Sequence, residues 1–399
     1  MQFKKNIALV ETSWGGHHPT YYKLFVRALL ELGCHVTAFC PEPNEVGGAL
    51  KDLSAEDRSR LVIRLFKNVN PIRWLPYRIK YRLSTFLTTL KLSLTLSRSQ
   101  RTQKRKFDLV FFPSIYDDHF SRRPESALLF RFPWSALYLQ TGKFRRLLPN
   151  ANWSDLPPWV GTLLRSPRLK SIVVLDQGVS DLLEKLCERP VITFPDLTDE
   201  RLASNSPAAL DLKKFANGAP IVGLLGVLKP SKGTLTLAKL ALDPAYSDLC
   251  FAFVGPLVTH GYTKEEHAFT SSLASKRPNV FTLFRHLDDG PDFNAYFLAA
   301  DVIFAAYLDF ADSSGILTKV AAFKKPVIVS NGYLMAERVR KYRMGKVIPQ
   351  ANVQAAGNAI REILRDKNGN STSPDWEGYH EEHSYERLKT AFAQLLTAK

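Results

Sequence analysis

Between Arg58 and Phe107 the sequence contains no acidic residue, while fourteen lysines and arginines fall in the same stretch. A field of one sign over that length excludes an ordinary mixed-charge surface. It suits an anionic membrane, a nucleic acid or an acidic substrate. Cysteine is also scarce: Cys34, Cys40, Cys187 and Cys250 show no metal-binding or redox spacing. Such usage predicts reduced thiols and a cytoplasmic protein rather than a disulfide framework. No apolar run is long enough to cross a bilayer, and the start of the chain leads straight into a strand, so no signal peptide is expected. Repeats and low-complexity tracts are absent.

What is present is enough for two ordinary domains: 399 residues, 45% of them hydrophobic. The net charge of +16 is uneven, with 30 Lys+Arg against 16 Asp+Glu in residues 1–195 and 24 against 22 in the remainder. The apolar run Asn6–Glu11 predicts a buried strand, followed by the loop Thr12–Pro19. Tyr21, Leu24, Phe25, Ala28, Leu29 and Leu32 then recur on a 3.6-residue period, which predicts a helix from about Thr20 to Leu32. Gly33 ends it, and a second strand spans Cys34–Cys40. This βαβ unit opens a parallel sheet. Further strands fit Leu61–Phe66, Leu109–Pro113, Ala136–Gln140, Ile172–Leu175 and Val191–Pro195. The polar stretch Thr198–Asn217 reads as a linker. A second alternating set follows, with strands at Ile221–Gly226, Leu249–Val254, Val280–Phe284, Asp301–Ala306 and Pro326–Ser330. A single amphipathic helix is expected over Tyr379–Leu396. The expected architecture is α/β, with two doubly wound, Rossmann-like domains at 1–200 and 201–375. Residues 376–399 would form a C-terminal helix packing back toward the first domain.

Two stretches carry candidate chemistry. In the first, Ser313-Ser314-Gly315 precedes a short helix whose first turn has no acidic residue. A serine can cap such a start, and its free amides form a ready anion site. In the second, a strand and the turn at Gly226 lead to Lys229 and Lys232 just before a helix near Thr234. Lysines there suit phosphate. Each stretch alone is also compatible with an unliganded capped helix or a solvated turn; together with Phe253-Val254-Gly255 they favour phosphate.

In order and spacing these residues resemble the nucleotide-sugar domain of GT-B-fold glycosyltransferases, in particular the retaining family 4 enzymes. The matching segments are Gly226…Lys232-Gly233, Phe253-Val254-Gly255, Ala299-Ala300-Asp301-Val302, Lys325-Pro326-Val327-Ile328, Gly332…Glu337 and Gly345. Gly15-Gly16-His17 resembles that family's acceptor loop, and Phe194-Pro195-Asp196 its inter-domain junction. The resemblance implies two domains facing across a cleft, with a nucleotide-diphosphate sugar bound by Gly226, Lys229, Lys232, Ser313, Ser314, Gly315, Lys319 and Glu337. It places the acceptor at Gly15, Gly16 and His18, with His17 and His119 as catalytic candidates. His17 and His18 also have a plain reading, as loop residues stacked under Trp14.

This sequence departs from that pattern in three places. The arginine usual after the first glycine is Val227, and the usual glutamate pair falls on Ala311 and Lys319. Pro113 stands where a histidine near the reacting sugar is common, so His119 is only a stand-in. Lys319 or Lys229 would then supply the missing positive charge at the phosphates. No metal site is expected, since the adjacent Asp117 and Asp118 rarely share one ligand geometry, and no cofactor beyond the sugar donor is required.

The expected function is transfer of a sugar from a nucleotide-diphosphate donor to a lipid-linked, polysaccharide or other glycan acceptor, in polysaccharide biosynthesis. Retention is implied by the resemblance alone. Alternatives are a nucleotide-sugar epimerase, or a binding protein that kept the fold and lost catalysis. The basic segment Trp74–Phe107 interleaves bases with apolar residues, which suits a helix on the inner face of an anionic membrane, or else a charged helix pair on the sheet. Nucleic acid ranks last as a partner, because no DNA- or RNA-binding signature accompanies the charge.

Overall fold

The computed structural model describes residues 3–69, 76–115, 130–147, 164, 166–202, 207–366 and 373–398. The chain divides into two compact units: Met1–Pro195 with Ser384–Lys399, and Asp196–His383. The changeovers thus lie at 195/196 and 383/384, rather than at 200 and 375.

The first unit holds a seven-stranded sheet: β1 Asn6–Val10, β2 His35–Cys40, β3 Leu61–Leu65, β4 Leu109–Ile115, β5 Trp134–Tyr138, β6 Leu169–Val174 and β7 Val191–Thr193. The order is β3-β2-β1-β4-β5-β6-β7, every pair parallel. Strands covered on both faces read as unbroken apolar runs, and β1, β4 and β5 are buried along their whole length. Strand order reverses between β1 and β4, so the loops after these two strands flank a switch point, where open α/β sheets bind ligands.

One helix, Tyr77–Gln103, occupies the basic segment where a helix or a helix pair was expected. The single C-terminal helix expected over Tyr379–Leu396 is two, Trp376–Glu382 and Tyr385–Thr397. The break falls at His383-Ser384, where the chain passes from one unit to the other. Ser384 caps the second helix by accepting from the Arg387 amide at 3.2 Å. That helix packs on the helix His18–Glu31 and on β7. Phe392 meets Phe194 at a ring-centroid distance of 4.7 Å, Phe25 at 5.2 Å and Phe111 at 5.4 Å, all in edge-to-face contact.

The second unit has six parallel strands: β8 Ile221–Leu225, β9 Cys250–Val254, β10 Val280–Leu283, β11 Val302–Ala305, β12 Val327–Ser330 and β13 Gly345–Ile348, ordered β10-β9-β8-β11-β12-β13. Alternation along β8 sends Ile221 and Leu225 to one core and Val222 and Leu224 to the other. The switch point here lies between β8 and β11. The stretch read as a linker contains the helix Pro207–Ala216, which packs on the helix Pro291–Ala299. Leu212 and Ala216 anchor it, and its lysines and aspartate gave the segment a loop-like composition. This unit also contains β13 and the helix Val353–Asp366, neither of which the sequence reading anticipated.

Phe392 is fully buried, so Phe392→Ala is expected to destabilise the first unit by about 3–5 kcal/mol through lost transfer energy and a residual cavity. Chemical denaturation followed by fluorescence measures this.

Candidate functional site

The two candidate loops of the second unit follow β8 and β11, the strands on either side of its switch point. Gly226 has φ of 101° and Gly255, after β9, has φ of 140°; a Cβ on Gly255 would lie 1.9 Å from the Gly226 carbonyl oxygen. The turns therefore press together only as glycines. Lys229 precedes a 3₁₀ turn, Pro230–Lys232, and Gly233, at φ of 77°, starts the helix Thr234–Ala241. A Cβ at Gly233 would meet the Ala306 carbonyl oxygen at 2.5 Å. The Leu308 amide donates to the Ser231 carbonyl at 2.9 Å, so the loop after β11 is tied to the lysine turn by backbone.

This interlock sets Lys232 against two rings. Its Nζ lies 3.6 Å from the Tyr307 centroid and 4.6 Å from that of Phe310. Cation–π attraction replaces part of the lost hydration. Burial nevertheless pushes the Lys232 pKa down to about 7, against a small opposing pull from Asp312. Neither Lys229 nor Lys232 has an ion-pair partner among the described residues. Tyr307 is buried, and burial lifts its pKa to about 12, opposed by the nearby Ser314 hydroxyl and the charge of Lys229. Lys229, Lys232, Tyr307 and Ser314 thus converge.

Ser313 is engaged elsewhere. Its hydroxyl donates to Asp196 Oδ2 and accepts from Arg338 Nη1 at 2.7 Å, while Arg338 lies 3.3 Å from the same carboxylate. Asp196 also receives Thr318 Oγ1 on its carbonyl and donates its amide to His383 Nδ1 at 3.0 Å. Burial, aided by Arg338, pushes the His383 pKa down to about 3 and keeps the ring neutral, as an accepting nitrogen requires. The expected serine cap is therefore replaced: Gly315 is the N-cap of the helix Ile316–Ala322, with no side-chain cap bond.

Lys319 departs from expectation as well. It lies one turn into that helix and is only 4% exposed. Its ammonium pairs with Asp289 Oδ1 at 2.6 Å and donates to Asn294 Oδ1 at 2.6 Å and the Asp199 carbonyl at 3.1 Å. Two of its three donors thus make hydrogen bonds, and the carboxylate of Asp289 balances its charge. Lys319 is a structural cation rather than the phosphate ligand the sequence suggested. Glu337 sits exposed in the first turn of the helix Leu334–Tyr342, whose buried face supplies Arg338 instead.

In the first unit, Gly15, Gly16 and His17 are exposed in the loop after β1. Gly16 has φ of 59°, which favours glycine. His17 stacks on His18 at 4.9 Å and edge-on to Tyr21 at 5.4 Å. Trp14, expected above the histidines, instead packs edge-on to Tyr22 and donates Nε1 to Glu45 at 2.7 Å. His18 is buried, with Nδ1 at 3.1 Å from both Glu11 Oε2 and Ser114 Oγ. Ser114 Oγ donates to Glu11 Oε2 at 2.8 Å, and the amides of Thr12 and Ser13 donate to Glu11 Oε1 at 2.7 and 2.9 Å. Glu11 thereby fixes the start of the glycine loop and the histidine beyond it. Sequence reasoning missed Glu11 and Ser114; the available signal was an acid closing an apolar strand. His119, Asp117 and Asp118 lie outside the described residues. Among the described residues no group of His, Cys, Asp or Glu could hold a metal ion, and no helix is long and apolar enough to cross a membrane.

No family model and no curated protein matches the sequence. Solved structures do match it. Sucrose-phosphate synthase from Thermosynechococcus elongatus has a TM-score of 0.67 at 18% identity, covering 98% of each chain. HepE from Anabaena in complex with UDP and glucose has a TM-score of 0.65 at 15% identity over the whole of both chains. The E. coli trehalose-6-phosphate structure bound with UDP-2-fluoro glucose has 0.63 at 12%, covering 98% of this chain and 99% of that one. The shared fold is GT-B, two parallel-sheet α/β units.

Removing one member of a buried ion pair strands the other, at a cost of about 3–5 kcal/mol. Lys319→Ala is therefore expected to lose that much stability by leaving Asp289 unpaired, as read by urea denaturation.

Proposed function

We propose that this protein is a glycosyltransferase taking a sugar from a nucleoside-diphosphate donor, with the diphosphate bound by the loops after β8 and β11. The observation that carries the reading is Lys232: a half-buried cation set against Tyr307 and Phe310, near Lys229, with Asp312 close enough to be felt but no ion pair to it. A protein does not keep an uncompensated ammonium in such surroundings without cost, and an anionic ligand removes that cost. The Ser314 hydroxyl beside Tyr307 supplies a further donor. Charge growing on the departing diphosphate would be met by Lys232 and Lys229, the electrostatic contribution expected to dominate. Uridine nucleotides are the natural first candidates, because HepE and the trehalose-6-phosphate structure share this fold and are seen with UDP or a UDP-sugar.

The acceptor in this reading is a glycan or lipid-linked intermediate of polysaccharide biosynthesis, bound near Gly15, Gly16, His17 and His18, with the protein peripheral on the cytoplasmic membrane face. Retention of configuration rests on the family resemblance. A second reading, a nucleotide-sugar-binding protein without transfer, is favoured by Val227 and by Lys319, which stands where the family has a glutamate and is engaged elsewhere.

Isothermal calorimetry with UDP tests the donor site. Lys232→Met is expected to weaken binding at least tenfold, since a charged hydrogen bond contributes about 1.5–3 kcal/mol. The same variant should be no less stable without ligand. The sign follows from linkage: the folded-state pKa near 7 lies below the ordinary 10.5, so between those values the unfolded chain holds a proton that the folded one lacks. Stability contributed by Lys232 rises with pH across that window and is lowest below pH 7, where Lys232→Met should gain most over the parent. Unchanged UDP affinity in the variant would remove Lys232 from the site.

A further inference from the structure

The helix Tyr77–Gln103 is apolar on two opposite faces. Thr89, Leu92, Leu96 and Ser99 form the buried one, and Leu92 and Leu96 join the core of the first unit. On the opposite side Ile79, Phe86, Leu90 and Leu94 recur at spacings of seven, four and four residues, hence along one line of the helix. These four are 55%, 39%, 37% and 51% exposed. At 1.5 Å per residue the stripe runs for about 22 Å. Burial by the protein's own core explains the first face and leaves the second unexplained.

Charge identifies what covers it. Lys80, Lys91 and Arg98, spaced eleven and seven residues apart, share a line beside the stripe, and exposed Arg101 stands beyond its C-terminal end. The surrounding sequence from Arg58 to Phe107 holds fourteen bases and no acid to oppose them. A second copy of the chain docked on this face would bring like charges together. A nucleic acid would satisfy the bases and leave four aliphatic and aromatic side chains in water. An anionic bilayer satisfies both, with apolar side chains at the boundary of headgroup and acyl chain and bases among the headgroups.

We propose that this outward face is the surface by which the protein sits on anionic lipid, with Ile79, Phe86, Leu90 and Leu94 entering the interface and Lys80, Arg98 and Arg101 holding the headgroups, while Lys91 donates to the Lys67 carbonyl at 2.8 Å. The inference rests on the membrane association proposed above and is independent of sugar transfer. It places the contact on the unit that carries the glycine loop, so a lipid-linked acceptor would be reached by a protein already on its membrane.

Co-sedimentation with vesicles of phosphatidylcholine mixed with phosphatidylglycerol, against phosphatidylcholine alone, provides the test. The full-length protein is expected to bind the mixed vesicles and be released by salt, with little retained on the neutral ones. Leu90→Glu with Leu94→Glu should lower binding by at least about tenfold. Arg98→Glu with Arg101→Glu should weaken it by about fivefold for each base removed. Circular dichroism and UDP affinity serve as controls, and both should match the parent. Equal binding to neutral vesicles, or binding to neither, would overturn the membrane association itself. Parent-like binding by the leucine pair would overturn the assignment to this helix. So would a parent dimer that the leucine substitutions turn into a monomer, since the stripe would then be a self-interface.

Discussion

Arg338 and Lys319 are buried cations of the second unit and Lys232 is a half-buried one, and what each faces sets it apart. Arg338 lies against Asp196 and Ser313, and Lys319 against Asp289, Asn294 and the Asp199 carbonyl. These two are neutralised within the unit and serve to hold it. Both networks reach the residues that open the unit, Asp196 and Asp199, and clamp them to the helix Ile316–Ala322. Lys232 differs: it has rings where the others have carboxylates.

The loops after β1 and β8 are built by different means. In the second unit the backbone is locked by glycines that touch carbonyl oxygens, at Gly233 and Gly255. In the first, no atom lies within 4 Å of where a Cβ on Gly15 or Gly16 would stand. The loop is held instead from one end, by the four hydrogen-bond donors that converge on Glu11.

Much of the fold was legible because it rests on local pattern. Apolar runs gave away the parallel strands, and a 3.6-residue period the first helix. The helix Pro207–Ala216 was hidden because Asp211, Lys213 and Lys214 surround one buried leucine. At the candidate site, the Gly-Lys-Gly context pointed to Lys232, yet its ring partners lie some seventy-five residues on. Ser313 reads as a helix cap from its neighbours, but its partner Asp196 is 117 residues away, and a buried carboxylate with an arginine outcompetes a first-turn amide. Lys319 was placed correctly along the helix and wrongly in direction, because Asp289 and Asn294 belong to a segment that no local rule connects to it. Glu11 and Ser114 were overlooked for a related reason: each looks like the polar end of a strand until the sheet order sets β1 beside β4.

In the proposed reading Lys232 is an ammonium held against aromatic rings that an anionic ligand would neutralise. Its titration can be followed directly through the side-chain ¹³Cε resonance of isotopically labelled protein, assigned by comparison with Lys232→Met. Without ligand the transition should centre near pH 7, far below that of an ordinary lysine. With UDP saturating, it should move up by more than one pH unit, as a diphosphate beside the ammonium favours the charged form. A resonance titrating near 10.5 in the free protein, or one indifferent to UDP, would contradict the account.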